Sequence, residues 1–191
     1  MERPDSWLPS RDSYPDQRLR RPALPIRLWH PSRVATESGT ERLLALLDAA
    51  PQRIAVAAAS APAASLTMRT GTEPWSVNDV LAHLRACQDV RGKLVNEMLT
   101  RDHPEIRYVS PRTYIRKTDY PDRPFHESLA AFAADREAFV QLLRGLARDE
   151  WLRSADLKGR RTESVLDCAE YLVAHEAPHL EQIEALVRGG G

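Results

Sequence analysis

The sequence predicts an all-α protein built as a four-helix bundle with long crossover connections, on three observations. Apolar residues make up 42% of the chain, yet aromatics only 6% and alanine is abundant. Such a mix favours closely packed helices over a sheet of bulky β-branched strands. Four separate stretches repeat apolar residues at the helical period, and no stretch carries a convincing strand alternation. At 191 residues the chain has room for one domain with a single sizeable core.

The first element in chain order is not a helix. Residues 1–36, MERPDSWLPSRDSYPDQRLRRPALPIRLWHPSRVAT, mix prolines with scattered charge and read as a disordered or loosely docked arm ahead of a bundle at 37–191. The arm has no continuous apolar core and is no secretory signal. Its Arg18, Arg20 and Arg21 read as a solvated tail. The first helix is expected over roughly 40–60, with Pro51 kinking or dividing it. The second runs over roughly 76–100, opened by Ser76 as N-cap and by Asp79 at the positive helix end. The third is expected over 126–148. The fourth, TESVLDCAEYLVAHEAPHLEQIEALVR, is expected over 162–188, from Thr162 to a closing glycine run. The connections are long for tight up-down turns, as crossovers require. One of them, 101–124, is rich in Tyr, Arg and Pro and is a candidate lid over one end of the bundle.

Composition excludes some functions. Lys and Arg number 27 and Asp and Glu 27, so the chain as a whole offers no electrostatic footprint for nucleic acid. Cys87 and Cys168 form neither a CxxC pair nor a disulfide framework, and the chain reads as cytoplasmic. No apolar run reaches the ~20 residues that span a membrane.

Chemistry concentrates on two helices. Around the fourth, at ~100° per residue, Val165, Ala169, Leu172, Ile183 and Leu186 make an apolar stripe. His179 falls near its centre, His175 on its edge and Glu176 near its middle, where an unpaired carboxylate would be costly. On the second helix Val80, Leu84, Cys87, Leu94 and Met98 form the stripe, with His83 on its flank. His83 lies roughly 10 Å from the start of its helix and His179 roughly 13 Å from the end of its own. Antiparallel helices therefore bring all three imidazoles to one level. Each alone reads as a hydrogen-bonded, half-buried histidine; together, three neutral imidazoles suit zinc or nickel with positions left open.

The order His175-Glu176-x-x-His179 also matches a zinc-protease helix, with the glutamate as general base. The twelve residues after His179 supply neither histidine nor the glycine spacing of the extended motif, and Pro178 interrupts the pattern. A protease is therefore excluded. Glu176 reads foremost as an internal ion pair and secondarily as a proton acceptor or a partner of a ligand histidine. Arg136 and Arg91, on inward faces, are its candidate partners or hold a substrate carboxylate. Cys87 and Cys168 read as small core residues.

Three passages in order resemble the DinB-like superfamily of metal-binding four-helix proteins: EPWSVNDVLAHL (73–84), AADREAFVQLLRGLARDEW (133–151) and HEAPHLEQI (175–183). The likeness covers roughly 40–188. It implies an up-up-down-down bundle holding a divalent metal on positions matching His83, His175 and His179. It also implies kinship with transferases and isomerases that use low-molecular-weight thiols such as mycothiol or bacillithiol, and makes a homodimer plausible. Where many members carry another histidine before the last ligand, this chain has Pro178. The competing expectation is a non-catalytic metal-stabilised bundle in stress response or protein interaction.

Overall fold

The computed structural model describes residues 37–69 and 75–189. The expected arm, with Arg18, Arg20 and Arg21, lies outside the described residues, as do the last two glycines. Four long helices carry the fold: α1 (Glu37–Ala58), α3 (Val77–Thr100), α5 (Phe125–Arg144) and α6 (Val165–Gly189). Short helices α2 (Ala63–Thr67) and α4 (Pro111–Ile115) sit in the connections. The protein is a four-helix bundle, as the periodicity predicts.

Two apolar layers fix the helix directions. One gathers Leu44 and Leu47 from α1, Leu94 and Met98 from α3, Phe139 and Leu143 from α5, and Cys168 and Leu172 from α6. The other gathers Ile54, Leu81 and Leu84, Phe125 and Phe132, and Leu180 and Ile183 from the same helices. Helices α1 and α6 therefore run from the first layer to the second, and α3 and α5 run back. The order is up-down-down-up, not the up-up-down-down that the resemblance implied. The reason lies in the connections. Helix α1 ends and α3 begins at the second-layer end, and α5 ends and α6 begins at the first-layer end, while 101–124 return the chain along the whole of α3, about 36 Å at helical rise.

That return path also corrects the lid expectation. Ile115 packs on Ala82 and Ala86. The Tyr120 hydroxyl donates to Asp89 Oδ2 at 2.5 Å, and Asn78 Nδ2 donates to the carbonyls of Pro121 and Arg123 at 3.1 Å. The segment is a strap along α3 that buries a third side of this helix. Covering it explains why Asn78 and Arg85 are buried beside the expected stripe.

A small sheet was not legible in the sequence. β1 (Glu105–Ile106) pairs parallel with β2 (Ser154–Leu157), which pairs antiparallel with β3 (Thr162–Ser164). Strands of two to four residues are too short to display a period of two. The sheet closes the first-layer end, where Ala155 and Leu157 join the core.

Local rules set the helix starts. Ser76 accepts from the Asp79 amide and Asp79 reaches back to the Ser76 amide, a reciprocal cap that fixes the register of α3. At α6 the same device is made by Ser164 and Asp167, at 2.8 and 3.1 Å. Thr162, the expected opening, belongs to β3, so the helix begins later. Both α1 and α6 continue through their prolines, Pro51 and Pro178. No helix among the described residues is long and apolar enough to cross a membrane.

Candidate metal centre

Helix α3 delivers His83 and helix α6 delivers His175 and His179, stacked one turn apart. Because α3 and α6 run antiparallel, the three rings meet at one level between the two apolar layers. One ring nitrogen from each lies within 4.8 Å of the others. His83 Nε2 and His175 Nε2 are 3.0 Å apart, and ring centroids lie 4.9 to 5.2 Å apart. The rings are tilted 61° to 70° to one another, so they converge edge-on instead of stacking.

The donor set suits a transition-metal ion. With metal–nitrogen bonds of ~2.0–2.1 Å, two ligand nitrogens stand roughly 2.9 Å apart at a right angle and roughly 3.4 Å apart in a tetrahedron. The observed 3.0 Å lies within this span. All three imidazoles are held neutral, which leaves lone pairs to donate. Burial pushes His83 well below its usual range, helped by His179 and His175. Burial, then His179 and Arg91, pushes His175 down to about 4. Burial also lowers His179, against an opposing pull from Gln182.

The neighbours orient the rings. His179 Nδ1 donates to Gln182 Oε1 at 3.1 Å, a pairing that turns the Nε2 lone pair inward. Tyr171 stacks on His175 at 5.1 Å and 12°. Trp75 lies edge-on to His83 and parallel to His179, and forms an apolar wall. Tyr171 and Gln182 were missed in the sequence, although positions four before His175 and three after His179 could have flagged them.

The other candidates settle elsewhere. Glu176 is 2% exposed and Arg136 1%, and they form a bidentate pair at 2.9 and 2.5 Å. Arg136 also donates to Gln88 Oε1 at 2.5 Å and to the Leu47 carbonyl at 3.0 Å. One guanidinium thus ties all four long helices together. Arg91 pairs with Glu163, which also accepts from Arg161. That partner, remote in sequence, carried no local signal. Cys87 Sγ stands 3.5 Å from His83 Nε2 but outside the group of converging donors. Burial and the Glu176 charge push its thiol up, and burial raises Cys168 to about 11.

A bundle in which one helix offers a histidine to two more, a turn apart on an antiparallel partner, defines a class of proteins. This chain belongs to it: residues 46–183 match the model of the DinB superfamily. Among solved structures it is similar to YfiT from Bacillus subtilis, described as a probable metal-dependent hydrolase with an unusual four-helix bundle topology. The two share 19% identity at a TM-score of 0.71, over 81% of this chain and 89% of that one. That likeness establishes the fold. No curated protein matches the chain significantly.

Proposed function

We propose that His83, His175 and His179 hold a divalent ion, zinc or nickel, and that the protein is a metal-dependent enzyme acting through a low-molecular-weight thiol. The observation that carries this reading is the convergence of three neutral imidazole nitrogens within 4.8 Å. When bound by these three residues, a divalent ion would supply Lewis acidity that lowers the pKa of a thiol or water beside it. The chain's own residues do the rest. The His179–Gln182 pair and the Tyr171 stack orient two donor rings, and Trp75 keeps water from one side.

Glu176 serves as a structural anchor in this reading, since Arg136 holds both of its carboxylate oxygens. Hydrolysis is the second reading, favoured by the description of YfiT as a probable metal-dependent hydrolase.

The test is metal content of the purified, untagged protein beside His179→Ala. About one zinc or nickel per chain, lost in the variant, is expected. Thiol-dependent turnover of electrophiles by the loaded protein then separates transfer from hydrolysis. No metal in the wild type, even after incubation with both ions, refutes the site.

A further inference from the structure

We propose that a groove on the outer face of α1 is the docking site for this chain's own residues 24–29, LPIRLW. This surface lies apart from the histidine cluster, and its role does not depend on the metal reading.

Helix α1 carries two apolar stripes. Leu44, Leu47, Ile54 and Ala58 face the core. Leu46, Ala49, Val56 and Ala57 share a second face, turned from the first by roughly 140° at ~100° per residue. Leu46 is 49% exposed and Val56 67%. Ala49, Gln52, Val56 and Ala57 line a groove of about 390 Å³, and the Arg53–Glu184 ion pair, at 2.6 Å, joins it to α6. A continuous apolar face left in water marks a surface built to be covered.

The chain ahead of α1 is long enough to turn back over this face. Leu46 stands nine residues beyond Glu37, roughly 14 Å along the axis, and Val56 nineteen, roughly 28 Å. Extended chain advances ~3.3 Å per residue and matches those heights in about four and about nine residues. With about four residues spent on the reversal, Trp29 comes level with Leu46 and Leu24 with Val56. This window, with Leu24, Ile26, Leu28 and Trp29, is the densest apolar run of residues 1–36. Pro22 and Pro25 disfavour a helix there, so the extended spacing applies.

Charge agrees with the same register. Residues 18–36 carry Arg18, Arg20, Arg21, Arg27 and Arg33 and no acid. Exposed Glu41 and Asp48 stand on the α1 ridge that leads to Gln52, and Arg27 arrives about level with Asp48. Tethering favours this occupant over a second copy, because a short linker holds its segment at an effective concentration on the order of millimolar.

The experiment uses the full chain with the photo-crosslinker p-benzoylphenylalanine in place of Gln52, an exposed residue of the groove. Irradiation of mixed light and ¹⁵N-labelled protein, followed by tryptic mass spectrometry, is expected to attach position 52 to peptide 22–27 or 28–33 of the same chain. Trypsin on native, unsubstituted protein gives a second readout. Arg27–Leu28 lies inside the docked run and Arg18–Leu19 outside it, and both are Arg–Leu bonds. The inner bond should be cut about tenfold more slowly, the worth of burying one aliphatic side chain. Val56→Asp should bring the two rates to near parity with circular dichroism unchanged, since Val56 is 67% exposed. A crosslink between two copies identifies a second copy as the occupant and overturns the proposal. Attachment to another segment or to nothing, equal cutting of the two bonds in wild type, or slow cutting that survives Val56→Asp overturns it as well.

Discussion

Replacing Arg136 with leucine removes four hydrogen bonds at once: two to Glu176, one to Gln88 and one to the Leu47 carbonyl. The larger consequence is what remains. Glu176 is 2% exposed, so its carboxylate would be left charged in the interior. Breaking a buried pair from one side costs about 3–5 kcal/mol, because the lone charge has lost its water and its partner. At this chain length each kcal/mol is worth about 2–4 °C, giving a fall in Tm of about 6–20 °C. The assay is urea and thermal unfolding of wild type, Arg136→Leu, Glu176→Leu and the double variant. The double variant should be more stable than the sum of the singles predicts, since two well-packed leucines replace the pair and strand neither charge. Glu176→Gln should lose stability yet still take up metal. An Arg136→Leu cost below about 1 kcal/mol, or strict additivity in the cycle, would refute the reasoning that this pair pins the four helices.

Metal-free protein should lose stability as pH falls. His175 titrates near 6.5 when unfolded and at about 4 when folded. Above 6.5 neither state is protonated and there is no penalty. Between 6.5 and about 4 the unfolded chain takes a proton that the folded one refuses, which costs about 3 kcal/mol in all. His83 and His179 shift in the same direction and add to it. Denaturant melts across this window check the slope, and a flat profile contradicts it. Ser76→Ala should cost about 1 kcal/mol by removing the cap of α3, read by chemical denaturation. Cys87 and Cys168, buried and with raised thiol pKa values, should resist iodoacetamide in native protein and label only on unfolding, as mass spectrometry would show.

Much of the metal centre was written in local spacing. Two histidines four apart on an apolar helical face, with a third on another helix, are legible because helical geometry fixes which residues share a face. The same periodicity defined four helices and most of their buried stripes, and Ser76 with Asp79 marked the start of α3. These are short-range properties, decided within a turn or two of chain.

Tertiary structure decided what distance in sequence conceals. Whether 101–124 caps the bundle or straps α3 depends on which surface Ile115 finds, and its contacts, Ala82 and Ala86, are remote in sequence. That one choice sets the up-down-down-up order. The tiny sheet has too few residues per strand to signal itself. The partner of each buried arginine, Glu176 for Arg136 and Glu163 for Arg91, is likewise fixed by which helix lies alongside. Periodicity says which way a side chain faces; only the packed fold says what it meets there.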